Sequence, residues 1–252
     1  MKDRLKFSRS FGLYKWFFVA LRSLILCLSV LFILLSCSTS NNVPEIVFKG
    51  LEYYRVGEDS MILSFDLHDA DRDFGLKIDE QYPPFHPYNM IIDSRDEFVT
   101  YGDDQVKPPL YVVDPSEGGN KTLFSETDNR PLYNCQDYYL PYGSKSDAFY
   151  IQKNPYYNNL HIAFQRKVNG QYEKVDFAAE YADINCSSVN FDCRLPSPAG
   201  ASTEIHHKMT SFGFPAALRQ DTFRIKFFVY DRALHKSNEV VTPDFTLKSI
   251  QQ

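Results

Sequence analysis

The stretch that decides the fold is SMILSFDLH, residues 60–68, in which apolar and polar side chains alternate. Every second residue from Met61 to Leu67 is apolar, and successive side chains of a β-strand point to opposite faces of the sheet. The same period of two returns in FRIKFFV, residues 223–229. Both segments are therefore predicted to be strands with one buried face, as in a β-sandwich.

The chain between these strands is also read as β-structure. Residues 160–164 (LHIAF) lead to Asn169-Gly170, a pair that favours a type I′ turn, and residues 171–177 return as the second strand of a hairpin. Residues 239–247 are predicted to form the last strand. Residues 45–252 contain no convincing amphipathic helix. We therefore predict one all-β domain, an immunoglobulin-like antiparallel β-sandwich over 45–252, with a long central elaboration at about 76–220.

The N-terminus has the pattern of a lipoprotein signal peptide. Residues 1–22 carry six basic residues and one acid, residues 23–36 (SLILCLSVLFILLS) carry no charge, and LLSC ends at Cys37. An uncharged core of this length is short for a membrane span, which needs about 20 residues. We predict a signal peptide at 1–36, lipidation (palmitate) of Cys37, and a short tether over 37–44. The alternative is a signal anchor that stays uncut.

The residues after Cys37 indicate a location. Ser38 stands where an aspartate would favour retention at the inner membrane, so we predict the outer membrane of the cell envelope. Residues 38–42 contain no acid, which favours the periplasmic face over the cell surface. The predicted partners are the membrane, through the N-terminal lipid, and an envelope protein or glycan.

The charge balance argues against a nucleic-acid partner. The residues before Cys37 hold 6 of the 27 basic and 1 of the 32 acidic residues, which leaves 21 and 31 and a net charge of about −10. Phosphate binding needs clustered positive charge. We predict no nucleic-acid binding.

Two long segments carry a family resemblance. They are PEIVFKGLEYYRVGEDSMILSFDLHDADRDFGL (44–76) and FRIKFFVYDRALHKSNEVVTPDFTL (223–247). The chain resembles uncharacterised lipoproteins of Bacteroidota with immunoglobulin-like or cadherin-like domains, in which one strand ends in an aspartate-rich turn and a later strand ends in a D-R-A-x-x-x-S-N turn. The resemblance implies a fold and a location, and it implies no activity.

Asp69, Asp71 and Asp73 place three carboxylates at alternate positions just after a predicted strand. Ca²⁺ takes six to eight oxygen ligands, and alternating acids in a curled loop can supply several of them. The segment is not an EF-hand, because Phe74 stands at the sixth position, where that loop needs glycine. Glu80 does fall at the twelfth position.

Asp231 follows the second alternating strand and is expected beside this cluster, with Asn238 within reach. Four crowded carboxylates would repel one another unless a cation, or Arg72 and Arg232, neutralised them. One hypothesis is therefore a structural calcium site of Asp69, Asp71, Asp73 and Asp231. The other is a set of exposed acids that only form turns.

Apart from Cys37, three cysteines follow the predicted signal peptide. A disulfide between Cys186 and Cys193 would close the shortest loop, and the alternative is three buried free thiols. Export makes a disulfide chemically feasible.

Histidine and tyrosine supply the remaining candidates. His86, His161 and the pair His206-His207 lack an accompanying nucleophile motif. The tyrosines are read either as core and edge packing or as a platform that stacks on sugars; they are Tyr53, Tyr54, Tyr88, Tyr138, Tyr139, Tyr142, Tyr150, Tyr156 and Tyr157. We predict a non-catalytic, lipid-anchored envelope protein, not an enzyme. The alternative is a carbohydrate-active or other hydrolase with its site in the central elaboration.

Overall fold

The computed structural model describes residues 42–55, 59–141, 143–177, 191–211 and 213–252. Strands dominate the regular structure of these residues, which also form a short α-helix, α1, at Phe214–Leu218 and 3₁₀ helices at Pro115–Glu117, Lys145–Asp147 and Leu247–Ile250. The strands are β1 Glu45–Tyr54, β2 Ser60–His68, β3 Tyr88–Ile92, β4 Leu110–Asp114, β5 Asn120–Ser125, β6 Tyr138–Tyr139, β7 Phe149–Lys153, β8 Leu160–Val168, β9 Gln171–Lys174, β10 Ser202–Thr210, β11 Phe223–Val229 and β12 Val240–Val241.

Two antiparallel sheets share the main hydrophobic core. One sheet has the order β1-β2-β10, and the other has the order β12-β11-β8-β9. Their inner faces meet in one cluster of buried residues, where the rings of Phe65 in β2 and Phe227 in β11 lie 5.3 Å apart. The all-β prediction is confirmed, while the relation to immunoglobulin-like domains stays a prediction.

The alternation in β2 explains how this strand contributes to the core. Met61, Leu63, Phe65 and Leu67 are at most 1% exposed, whereas the residues between them are half-buried. Full burial of such a side chain stabilises a fold by about 1.5–3 kcal/mol. Because β2 is the middle strand of its sheet, it forms backbone hydrogen bonds on both edges.

The predicted hairpin is confirmed. Strands β8 and β9 pair in register from Gln165–Lys174 to Val168–Gln171. The two turn residues both have positive φ, +49° at Asn169 and +83° at Gly170, as a type I′ turn requires.

The central part of the chain forms a third antiparallel sheet with its own core. Its order is β5-β4-β3-β7-β6, and its core includes Ile91, Leu110 and Tyr150. This sheet spans residues 88–153, whereas the predicted elaboration of about 76–220 also contains β8, β9 and β10 of the two main sheets. Alternation predicts a strand, but it does not say which sheet the strand joins.

The predicted final strand is mostly extended chain. Only Val240–Val241 pairs as β12, and Phe245 forms an isolated bridge with Phe223. Pro243 interrupts the ladder because it has no N–H to donate. Within the residues that the structure describes, no helix has the length and hydropathy needed to cross a bilayer.

Candidate metal centre

The loop after β2 holds Asp69 in a fixed position. Its backbone N–H donates to the carbonyl oxygen of Ala201 at 2.7 Å, and its Oδ2 accepts from the N–H of Phe74 at 2.8 Å. Gly75 follows with φ +114°, and a Cβ at this position would lie 2.3 Å from the backbone nitrogen of Ser197. The predicted aspartate-rich turn is therefore a tightly packed loop in which only glycine fits at position 75.

Asp69, Asp71 and Asp73 converge as the sequence predicts. Each offers a carboxylate oxygen, and these oxygens all lie within 4.8 Å of one another. Asp69 is buried, Asp73 is partly buried and Asp71 is exposed. Oδ1 of Asp69 and Oδ1 of Asp73 are both buried, and neither has a hydrogen-bond partner in the described part of the chain. Two orphaned carboxylate oxygens in one loop are unusual, because buried polar atoms are nearly always paired.

Asp231, at the end of β11, lies beside this cluster but faces another partner. Its Oδ1 accepts from the backbone N–H of His235 at 2.7 Å, and its Oδ2 lies 3.0 Å from Nδ1 of the same histidine. Burial, and then the charge of Asp231, raise the pKa of Asp73 to about 6. Burial is also the largest cause that raises the pKa of Asp69, to which Asp71 and Asp231 add. Asp231 is thus a neighbouring charge whose two oxygens already bind His235.

The two arginines that could neutralise the cluster do not do so. Arg232 forms a two-pronged ion pair with Glu80, and it donates to the carbonyl oxygen of Gly75 at 3.2 Å. This pairing is the largest cause that lowers the pKa of Glu80, to about 2. Arg72 is exposed and forms no ion pair with the residues described. Glu80 therefore acts as the counterion of Arg232 and not as a ligand at the twelfth position of a calcium loop.

Asn238 contacts β1 and not the carboxylates. Its side chain forms two hydrogen bonds of 2.8 Å with the backbone N–H and carbonyl oxygen of Ile46. Glu45 pairs with His68, the residue before Asp69. The start of the folded chain thus lies at the same end of the sandwich as the acidic loop.

The cysteine predictions need a correction. The thiol of Cys193 is free, so the predicted disulfide between Cys186 and Cys193 is not formed. Cys135 is disulfide-bonded, so the alternative prediction of three free thiols is also wrong. Cys37 and Cys186 lie outside the described residues. Burial raises the pKa of Cys193 to about 12, and Sγ lies 3.6 Å from Nδ1 of His207, whose pKa burial lowers. Both groups are therefore favoured in their neutral forms. A neutral thiol is a poor nucleophile, because the thiolate is the reactive form of cysteine.

The other histidines have structural partners. Nε2 of His86 lies 2.6 Å from Oδ1 of Asn89, inside a buried polar network that also includes Asn154. Nδ1 of His206 lies 2.9 Å from the hydroxyl of Ser64 at an exposed position. Ser64 and His206 do bring a hydroxyl and an imidazole together, as nucleophilic catalysis requires, but the pair lies at an exposed position where β2 pairs with β10.

The packing interpretation of the tyrosines is confirmed for three of them, while the sugar platform stays a prediction. Tyr53, Tyr138 and Tyr150 are buried and pack in the cores. Tyr88 in β3 is partly buried, and its ring centroid lies 4.7 Å from that of Tyr139 in the edge strand β6. Tyr142 lies outside the described residues.

An aromatic strip on the outer face of the β8–β11 sheet was missed at the level of sequence. It consists of Tyr156, His161, Phe228 and Tyr230. His161 and Phe228 are register partners whose rings stack at 4.8 Å, and Tyr156 and Tyr230 meet edge to face at 5.1 Å. Lys236 lies 3.8 Å above the ring of Phe228. The signal was available, because Phe228 occupies an outward position in the alternation of residues 223–229.

A groove of about 860 Å³ lies at the other end of β1. Its lining includes Tyr53, Arg55, Arg219 and Lys248, and the described lining residues include no acid. A glycosidase that works by paired carboxylates needs two acids across a cleft, and the described lining residues of this groove do not supply them.

The chain matches no protein-family model, no curated protein and no solved structure.

Proposed function

We propose that this protein is a lipid-anchored, non-catalytic component of the bacterial cell envelope. Its β-sandwich would bind a protein or glycan partner, or support an envelope assembly, at the periplasmic face of the outer membrane. The observation that carries this proposal is the LLSC motif at residues 34–37, placed immediately before a folded unit that begins at Asn42. Lipidation of Cys37 would tie that unit to a bilayer, and each buried methylene of an acyl chain adds about 0.8 kcal/mol of membrane affinity.

The length of the tether supports close attachment. Four residues separate Cys37 from Asn42, and an extended chain spans at most about 3.5 Å per residue, so the anchor would lie within about 18 Å of the domain. Asn42 interacts through its backbone with His235, beside Asp231. The tether would therefore join the sandwich at the end that carries the acidic loop.

The aromatic strip is the surface that favours a binding role. Its rings are half-buried, and Lys236 adds a positive charge over the ring of Phe228. Partly exposed aromatic side chains present apolar area together with polar groups, which suits contacts with sugars or with a protein surface.

Two measurements test the proposal. Cys37→Ser should move the protein from the membrane fraction to the soluble fraction and abolish labelling with radioactive palmitate, whereas Cys193→Ser should change neither. Unchanged fractionation of Cys37→Ser, or no palmitate on the wild-type protein, would refute the lipid anchor. For the binding role, Phe228→Ala should reduce what co-purifies from envelope extracts, while Phe98→Ala, at an exposed aromatic outside the strip, should not.

A further inference from the structure

We propose that Asp69, Asp71 and Asp73 bind one Ca²⁺ ion at the end of the sandwich where β1 begins. The site is built from a loop that the fold already holds in place, and its ligand atoms are the carboxylate oxygens that converge there. This inference does not depend on the lipid anchor, because every contact it uses lies within residues 69–80 and 231–235.

Two buried carboxylate oxygens of this loop are without a partner within the ranges that the structure describes. Asp69 is 1% exposed, yet its Oδ1 has no hydrogen-bond partner among the described residues, and the same holds for Oδ1 of Asp73. Burial of an unpaired carboxylate oxygen costs several kcal/mol in the absence of compensation. A cation between these oxygens would supply the missing partner for both.

The carboxylates of this loop lie close enough to share one divalent cation. The three carboxylate oxygens lie within 4.8 Å of one another, so small side-chain rotations bring them to one ion. Mg²⁺ demands near-ideal octahedral geometry at about 2.0–2.1 Å and keeps several waters, whereas Ca²⁺ accepts carboxylate oxygens in flexible geometry at about 2.3–2.6 Å. Three carboxylates on one curled loop therefore suit calcium better.

The negative charge of the acidic loop also favours a bound cation. The acidic loop has no neutralising arginine, because Arg232 binds Glu80 and Arg72 forms no ion pair with described residues. Asp231 adds a fourth carboxylate nearby and is held by His235. Oδ2 of Asp73 accepts from the N–H of Ala233 at 3.1 Å. Asp73 therefore links the loop after β2, which holds the site, to the loop after β11.

The expected affinity is modest. Three carboxylates supply fewer than the six to eight oxygens that Ca²⁺ takes, and the exposed position of Asp71 leaves room for water to complete the shell. Dissociation constants of about 10⁻⁴–10⁻³ M are typical of extracellular calcium modules. At 10 mM Ca²⁺ this affinity converts to a rise of about 3–10 °C in the melting midpoint for a domain of this size.

The first test is a thermal melt of the full-length protein in detergent, after chelation and then with 10 mM CaCl₂. The midpoint should rise by about 3–10 °C, with less than half of that rise for MgCl₂. NaCl at equal ionic strength should give almost none. A calcium shift no larger than the NaCl shift would overturn the site. Equal shifts with Mg²⁺ and Ca²⁺ would overturn its assignment to calcium.

The second test uses variants and calorimetric titration with CaCl₂ alone. Asp71→Asn removes an exposed ligand, so the chelated protein should melt no lower than wild type while its calcium affinity falls at least about tenfold. Asp66→Asn is the matched control, because Asp66 is an exposed acid of β2 that pairs with Lys49, and its calcium affinity should be unchanged. Wild-type affinity in Asp71→Asn, or an equal loss in Asp66→Asn, would contradict the proposal. Cys37→Ser should keep the calcium response, which separates this result from the fate of the lipid anchor.

Discussion

Substitution of Glu80 by glutamine tests how the loop after β2 is held against the loop after β11. The carboxylate of Glu80 is 3% exposed, and it binds the guanidinium of Arg232 through both oxygens. The hydroxyl of Tyr82 donates to the same carboxylate at 3.0 Å. Glutamine keeps the size of the side chain and removes its charge, so the substitution isolates the ionic part of this contact.

The magnitude follows from the lowered pKa. A fall from 4.5 to about 2 corresponds to an upper limit of about 3 kcal/mol at about 1.36 kcal/mol per pKa unit. The side chain of Arg232 is 39% exposed, so solvent screens the pair, and we expect about 1–2 kcal/mol. Because the folded-state pKa of Glu80 is depressed, this stabilisation is complete above pH of about 4.5. It is lost as the pH falls through about 2.

The assay is urea unfolding of wild type and Glu80→Gln at pH 7 and at pH 3. The free energy of unfolding should fall by about 1–2 kcal/mol at pH 7, and the difference should shrink by about half at pH 3. Glu97→Gln is the control, because Glu97 is 61% exposed and pairs with Arg95 at the surface, where such pairs contribute at most about 1 kcal/mol. Equal losses in the two variants, or a pH-independent loss in Glu80→Gln, would refute this reasoning.

Three further outcomes are expected. Gly170→Ala should lower the free energy of unfolding by about 1 kcal/mol, because position 170 has φ +83°. Gly200→Ala should not lower it, because position 200 has no positive φ, and equal effects in urea unfolding would contradict the turn assignment. Phe65→Ala should cost about 3–5 kcal/mol in the same assay, since its ring packs on Phe227 across the core, and a loss under 1 kcal/mol would argue against a shared core. Cys193 should react with iodoacetamide at pH 8 at least about 100-fold more slowly than free cysteine, because burial raises its pKa to about 12. The rate is measured by mass spectrometry, and a rate near that of the free amino acid would show the thiol to be accessible.

The elements with a strong local signal could be predicted closely. Strands β2 and β11 and the Asn169–Gly170 hairpin follow from alternation and from turn chemistry, both of which act between neighbours in the chain. The convergence of Asp69, Asp71 and Asp73 was likewise predictable, because alternate acids in one loop need no distant partner. The proximity of Asp231 followed from the expectation that the loops after two sandwich strands emerge at one end.

Contacts between distant segments could not be predicted in this way. Arg232 and Glu80 are 152 residues apart in the chain, so their pairing depends on how two distant loops meet. The sequence contains several other acids that could equally have paired with Arg232. The division of the central strands between a separate sheet and the main sandwich also depends on pairing, which alternation does not encode. The disulfide of Cys135 and the free thiol of Cys193 depend on which thiols meet in space, and the shortest loop was the wrong guide.

The amino-acid sequence by itself determined the β-class of this protein, its strongest strands and one tight hairpin, since each follows from the order of side chains along a short stretch. The basic start, the uncharged stretch and the LLSC motif also predict an export signal and lipidation at Cys37. Only the tertiary structure decided that two aspartate oxygens are buried without a partner and that Arg232 is bound elsewhere. The physical reason is that burial and charge pairing are properties of how distant segments pack together, so they arise only when the two sheets and their loops have met.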